Sequence, residues 1–458
     1  MSEKEEDRID FKKLLPVLFV VLVDVLGLTI IIPILPFYAI AFNADTTTIG
    51  ILFTMYPLMQ FVFGPLLGSL SDRYGRKVVL ALAQVGTFIS LLTLAFANSL
   101  GMIFFARIID GITGANLSTA QSVITDITSE KNRATGLGLI GATFGVGFVL
   151  GPALSGIALR LSGNNYSAPA LLAAGFAFTS ILLTTFVLKE SLPAEKRGQK
   201  NTGNGRNFGR IFRALLDPRL GILFILTFLL QVIFGSFQVT FAPFTLNLLG
   251  LNSLGNAIFF ATFGIVLAIV QGGLVGPLTK RFGERTMIYS GLLLFSAGFL
   301  ISSFTPQQPV PWYSRAELIA ELSQQSDEGR INEDSEQLEL LPVEENKGWG
   351  GLIYLLIGIL PLPVGIALIQ PNIGSMVTKR SDSARIGEAL GISASFTALG
   401  SIIGPSGGGF IFDLFGPNNL YLISGIGGLV LLAIVLVFLQ PLPEECIGPE
   451  KPPKNLAE

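Results

Sequence analysis

GPLLGSLSDRYGRKVVL, Gly64 to Leu80, sets two apolar runs on either side of a short charged turn. Asp72, Arg73, Arg76 and Lys77 crowd together there, and Gly75 sits among them where the chain must reverse. A weaker copy appears as GPLTKRFGERTMIYSG, Gly276 to Gly291, with Arg73-Tyr-Gly-Arg opposite Arg281-Phe-Gly-Glu. A second pair, GPALSG at Gly151 to Gly156 and GPSGGG at Gly404 to Gly409, repeats at a longer spacing. The two spacings differ by about the length of segment 305–348. Removing that insertion brings the halves into register, so the chain reads as one unit duplicated in parallel. Membrane proteins built this way place a binding site at the repeat interface near mid-bilayer.

Composition agrees with a membrane setting. Of 458 residues, 50% are hydrophobic and only 14% charged, against about 25% charged in a soluble domain. The absence of His and a single Cys, Cys446, remove zinc sites, histidine bases and disulfide frameworks. A formal net charge of −2 with no basic stripe gives nucleic acid nothing to bind. GLGLIG, Gly136 to Gly141, has the letters of a dinucleotide fingerprint but lies inside an apolar run with no strand before it. No ATP-binding motif and no nucleophile–base pair is visible, so the reading is neither an enzyme nor a primary pump, and no cofactor is expected.

A helix needs about 20 apolar residues to cross the hydrocarbon core. That ruler predicts twelve spans, at 14–41, 48–70, 78–98, 101–124, 134–160, 168–188, 219–249, 255–279, 287–304, 349–372, 386–412 and 417–440. The expected organisation is a six-helix bundle over 1–188, a linker at 189–218, a second bundle over 219–440 carrying loop 305–348, and a tail at 441–458. With the N-terminus inside, 25 of the 30 Lys and Arg fall on one side and four on the other. The positive-inside rule then puts both termini in the cytoplasm of a multi-pass inner-membrane protein. Loop 305–348 holds ten acids against three bases and reads as a solvated outer segment with a short helix around Ala316 to Leu322. Trp312 and Trp349 flank it at the level of an interfacial aromatic belt.

Three charges lie within the spans. VLVDVLGLTIIIPILP, Val21 to Pro36, submerges Asp24, about 15 Å deep by the helical rise. Asp110 lies about 12 Å from the opposite face by the same ruler, with Arg107 one turn away on the same helix face. A charge at the bilayer centre costs on the order of 3 kcal/mol, so such residues are expected to handle protons or substrate. In the fifth span Gly147, Gly151 and Gly156 allow close helix approach, and Pro152 is expected to add a kink. Candidate cavity-lining residues are Asn116 in the fourth span, Gln231, Phe234, Gln238 and Phe241 in the seventh, and Gln370 in the tenth.

GSLSDRYGRK, Gly68 to Lys77, resembles the loop signature between the second and third helices of the major facilitator superfamily. RIIDGITG, Arg107 to Gly114, is similar to its fourth-helix signature, and GFVLGPALSG, Gly147 to Gly156, to the fifth-helix signature of its drug–proton antiporters. The N-terminal half most resembles bacterial tetracycline efflux pumps. Those pumps carry acids on the third and ninth helices and a His on the eighth, where this chain has Ser90, Phe295 and Leu267. The resemblance therefore points to the subfamily and away from tetracycline itself.

The resemblance implies an all-α membrane protein of twelve transmembrane helices, two six-helix bundles related by a pseudo-two-fold axis. It brings helices 1 and 4 beside a central cavity, where Asp24, Arg107 and Asp110 would meet and couple protons to substrate. It also implies a conformational latch in which Asp72 faces the start of helix 11 and Arg76 pairs with Asp126, with Gly68 and Gly75 shaping the turn. The implied activity is a proton-coupled antiporter that exports a hydrophobic or amphiphilic small molecule by alternating access, acting as a monomer. Two rivals are weighed against it: a proton-coupled uptake carrier, disfavoured by the Gly151-Pro152 signature, and a non-transporting receptor or scaffold, which would not need Asp24, Asp72 or Arg76.

Overall fold

The computed structural model describes residues 11–114, 116–128, 130–193, 195, 197–198, 214–217, 219–324, 341–381 and 386–439. Among the described residues there is no strand. The first half contains α1 (Phe11–Ile31), α2 (Leu35–Ala41), α3 (Thr46–Tyr74), α4 (Arg76–Ala95), α5 (Leu100–Thr113), α6 (Asn116–Ile127), α7 (Glu130–Ser162) and α8 (Ser167–Phe186). The second contains α9 (Gly221–Leu249), α10 (Ser253–Ile269), α11 (Val275–Phe282), α12 (Glu284–Ser302), α13 (Arg315–Ser323), α14 (Gly350–Ile359), α15 (Pro361–Arg380), α16 (Ile386–Phe415) and α17 (Pro417–Phe438).

Eleven of the resulting segments are long and apolar enough to cross a membrane. The fourth expected span is covered by α5, capped at Gly114, and α6 from Asn116; residue 115 between them lies outside the described residues. Elsewhere short breaks are absorbed within a crossing. Pro33 and Pro36 fall at the junction of α1 and α2, and Pro361 opens α15 directly after α14; a proline ring removes a helical donor and clashes one turn back. A π-turn at Val270–Leu274 joins α10 to α11. Pro152 lies inside α7, which runs on through it.

The duplicated turn adopts the same backbone twice. Gly75, between α3 and α4, has φ +108°, and Gly283, between α11 and α12, has φ +81°. Each glycine amide closes the preceding helix, onto Ser71 O at 3.1 Å and Thr279 O at 2.9 Å. A side chain is strained at such φ values, which is why glycine recurs at both. Packing repeats as well: α1 lies on α7 and α4 on α8, while α9 lies on α16 and α12 on α17.

The halves touch through two further pairs, α3 with α16 and α7 with α10. These contacts concentrate at the end that carries the acidic loop. There Gly50 abuts the Pro405 backbone, Gly409 abuts Thr46, and Gly264 abuts Phe148. Thr47 donates to Asp413 from both its amide and its hydroxyl at 2.6 Å, and Asn256 Nδ2 donates to Pro33 O at 2.8 Å. At the basic end, Gly64 and Gly68 of α3, Gly276 of α11 and Gly391 of α16 have nothing within 4 Å of where a side chain would begin. Among the described residues, the halves meet at the acidic end and stand apart at the basic end.

Outward-facing side chains such as Phe19, Leu82, Phe105, Phe178, Ile357 and Val437 leave an exposed apolar surface around the helices. Such a surface fits hydrocarbon, not water.

Candidate functional site

α1, α3, α4 and α5 converge on a cavity of about 160 Å³, lined by Asp24, Tyr56, Gln60, Thr87, Asp110 and Gly114 among apolar neighbours. The C-terminal end of α5 builds part of its wall. Where α5 stops, the Gly114 carbonyl accepts from Gln60 Nε2 at 2.5 Å. Irregular backbone at membrane depth is tolerated where it lines a cavity in this way. A second cavity of about 220 Å³ lies between the halves and shares Leu28, Tyr56 and Gln60 with the first. Its walls add Arg107, Phe53 and Phe148 from one half, and Gln231, Gln238, Ser401 and Pro405 from the other.

Two of the three submerged charges pair directly, and Asp24 lines the same cavity as Asp110. Arg107 Nη2 pairs with Asp110 Oδ2 at 2.5 Å, and its guanidinium lies 5.8 Å from the Tyr56 ring centre. Neighbours three residues apart on a helix meet before anything on another helix can. Asp24 lies beside Gln84 and Ser180, which are themselves joined by a 2.8 Å hydrogen bond from Gln84 Nε2 to Ser180 Oγ. Among the described residues Asp24 makes no ion pair. The site thus offers one neutralised acid, one acid without a cation, and a mostly apolar chamber with a few amides and hydroxyls.

The expected lining residues divide by helix phase. On α9, Gln231, Gly235 and Gln238 share the face turned to the cavity. Phe241 is buried against Phe259 and Phe260, and Phe234 stacks on Phe237 and Phe263, so both belong to the aromatic core and not to the lining. Gln370 is exposed on α15 and lines neither cavity. Asn116 begins α6, and its side chain lies outside the described residues. Tyr56, Gln60, Thr87 and Ser401 were not singled out from sequence; a polar residue one or two turns from a proline or glycine in a span was the available signal.

Gly147 and Gly151 of α7 press on Val25 and Thr29 of α1, and Thr29 Oγ1 donates to Gly147 O at 2.9 Å. Gly156 instead faces Ala257 and Leu254 of α10, across the boundary between halves. Of the three positions compared above, Ser90 is buried and donates to Ala106 O, Phe295 is core, and Leu267 packs against the core.

At the basic end Arg76 bridges two acids, Asp72 at 2.5 Å through Nη1 and Asp126 at 3.3 Å through Nε. The resemblance implies that Asp72 faces the start of the eleventh span when the basic end is shut; residues 382–385, just before that helix, lie outside the described residues. The Asp72 carboxylate takes Arg76, and the basic ends of α3 and α16 stand apart in this conformation. Glu190 caps α4 from the segment after α8, accepting from the Arg76 amide at 3.0 Å and the Lys77 amide at 3.3 Å. A carboxylate there complements the helix dipole.

The Major Facilitator Superfamily family model matches residues 17–320 and 348–457. Among curated proteins, the chain is 29% identical over 432 residues to "Tetracycline resistance protein, class D" of Salmonella ordonez, covering 93% of this chain and 97% of that protein. It is 24% identical over 422 residues to "Multidrug resistance protein 2" of Bacillus subtilis (strain 168), covering 92% and 93%. Among solved structures, the human organic anion transporter MFSD10 superposes with a TM-score of 0.62 at 22% identity, over 95% of this chain and all of that one. That likeness concerns the fold.

Proposed function

The chain belongs to the Major Facilitator Superfamily, and from that premise we propose that this transporter exports a hydrophobic or amphiphilic small molecule in exchange for protons. The observation that carries the reading is Asp24, a carboxylate with no cation partner among the described residues, in a chamber that adjoins the cleft between the halves. Two six-helix bundles, 1–188 and 219–440, would rock about that cleft, joined by the linker 189–218. The basic end would face the cytoplasm, as the distribution of Lys and Arg favours. Open at that end, the molecule is in the state that loads from the cytoplasm.

A carboxyl is neutral when dry and charged when wet, because desolvation penalises the ion. Alternating access wets Asp24 from one side and then the other, so it can take a proton outside and yield it inside. Substrate would occupy the larger cavity, where Gln231, Gln238 and Ser401 offer hydrogen bonds among Phe53, Phe148 and Pro405. Mostly apolar walls with few polar groups suit amphiphiles. The named relatives act in tetracycline and multidrug resistance, and Ser90, Phe295 and Leu267 favour a substrate other than tetracycline. Arg107, held by Asp110, would orient the substrate and keep the fourth helix neutral.

The test uses everted membrane vesicles with an imposed proton gradient and a compound first identified by a sensitivity panel in an efflux-deficient host. Adding the compound should release protons, and Asp24→Asn should abolish that release while leaving compound binding in place. Proton release unchanged in Asp24→Asn would remove Asp24 from the coupling.

A further inference from the structure

The acidic loop is anchored on one half and reaches across to the other. Val310 N donates to Leu249 O at 3.0 Å, Gly348 N to Pro309 O at 2.9 Å and Gly351 N to Gln308 Oε1 at 3.0 Å. These bonds tie both ends of the loop to α9 and α14. Within it, α13 is capped by Ser314, which accepts from the Glu317 amide, and buries Leu318 and Leu322 in the core next to α2. On the same face Glu321 is only 6% exposed.

The Glu321 carboxylate accepts five hydrogen bonds. Oε1 takes Tyr166 OH at 3.0 Å, the Ser253 amide at 3.3 Å and Ser253 Oγ at 2.5 Å. Oε2 takes Asn164 Nδ2 at 2.9 Å and Asn252 Nδ2 at 3.2 Å. Asn164 and Tyr166 belong to the turn between α7 and α8 in the first half; Asn252 caps α10 and Ser253 opens it in the second. Among the described residues no cation pairs with Glu321.

We infer that Glu321 is the positioning residue of the acidic-end gate, a loop-borne carboxylate that is satisfied only when donors of both halves converge on it and that thereby holds this end shut. The inference rests on the alternating-access reading above. A buried carboxylate with no counter-ion is tolerated when its lone pairs are filled by hydrogen bonds. Asn252 and Ser253 stay with Glu321 through the cycle, since the loop and α10 lie on the same half. Asn164 and Tyr166 leave when the halves part at this end, and water replaces them. Charge and donors together therefore bias the molecule toward the basic-end-open state. Glutamine keeps the shape but turns an amide N–H toward the asparagine donors, so it breaks the arrangement without changing volume.

The test is labelling of a gate cysteine in intact cells by a membrane-impermeant maleimide, in the full chain carrying Cys446→Ser. Ala257→Cys provides the probe, being fully buried on α10 where it meets α7. Glu321→Gln should raise its labelling rate about tenfold, the equivalent of one charge-assisted hydrogen bond. Tyr166→Phe and Asn164→Ala should each raise it by less, since each removes one of the two bonds to the first half. Should Glu321→Gln fail to reach the membrane, those two variants carry the same expectation. Unchanged labelling in a folded Glu321→Gln, or in both milder variants, would overturn the inference. The readout needs no substrate, so a failed proton-release assay beside a raised labelling rate would sink the exchange reading and leave the gate standing.

Discussion

Arg107 Nη2 lies 2.5 Å from Asp110 Oδ2, three residues along one helix, with both residues 5% exposed. A buried pair of this kind adds little net stability, because each charge gives up its water; breaking it strands the survivor. Arg107→Gln or Asp110→Asn should each destabilise the protein by about 3–5 kcal/mol. The double variant should recover more than half of that loss. Thermal unfolding in detergent measures all three, and strictly additive losses would show that the two charges do not depend on each other.

Gly75 and Gly283 hold the same positive-φ, extended-ψ backbone, which glycine alone adopts readily, but in different surroundings. A Cβ at Gly75 would collide with the Glu190 carboxylate, whereas at Gly283 it would meet nothing within 4 Å. Alanine at Gly283 should cost only the backbone strain, roughly 1–2 kcal/mol. Alanine at Gly75 should cost more and also loosen the Glu190 cap on α4. Comparing melting temperatures of the two variants checks the order; equal values would mean that Glu190 yields without cost.

The bilayer makes much of this fold legible, since it demands long apolar segments and confines charge to their ends. The repeat was visible because the turn glycine and its basic neighbours recur. The end of α5 at Gly114 was not, because a glycine inside an apolar run has no distinct compositional signal. Gln231 and Gln370 look alike as letters, yet helix phase turns one into the cavity and the other away. Asp72 pairs with Arg76 while the basic end is open; the helix-end contact that the resemblance implies belongs to the state with that end shut. Glu321 was hidden in a loop whose acids read as solvated. Its flanking Leu318 and Leu322, on the same helix face, were the available clue.

Gly50 and Gly409 let α3 and α16 touch at the acidic end. A side chain at Gly50 would run into the Pro405 backbone, and one at Gly409 into the Thr46 backbone. Backbone cannot swing aside as a side-chain tip can, so Gly50→Val and Gly409→Val should wedge this end open. Each should slow transport by at least tenfold, on the order of the effect of losing one well-made contact, while raising acidic-end cysteine labelling. Normal transport by either variant would mean that the halves close without this contact.

Glu344 closes the loop by accepting from the Arg315 amide at 2.6 Å and from Lys347 Nζ at 3.1 Å. The Arg315 amide first, and then Lys347, hold its carboxyl below the ordinary 4.5. A depressed acid contributes its stabilisation above the unfolded value and loses it as pH falls through the folded one. The contact between Glu344 and α13 should therefore persist at neutral pH and loosen only below about pH 4.5. Hydrogen exchange of the α13 amides at neutral and acid pH tests the direction. Rates are compared as protection factors, corrected for the intrinsic pH dependence of exchange; Glu344→Gln should remove the acid dependence, and lower protection at neutral pH than at acid pH would contradict the sign.

Arg76 contacts Asp72 through one guanidinium nitrogen and Asp126 through another at the same time. It therefore ties the end of α3 to the end of α6 across the turn at Gly75. Lysine carries the same charge at one point and cannot grip two carboxylates in that planar geometry. Arg76→Lys should keep the fold, lowering stability by about 1 kcal/mol or less as for a partly exposed pair, yet cut the transport rate several-fold. The loss should appear in turnover and not in substrate affinity, since Arg76 lies far from both cavities in the fold, at the basic end. Transport assays across substrate concentration separate the two. Wild-type turnover in Arg76→Lys would show that charge alone is enough at this turn, and a change confined to affinity would place Arg76 in the binding path instead.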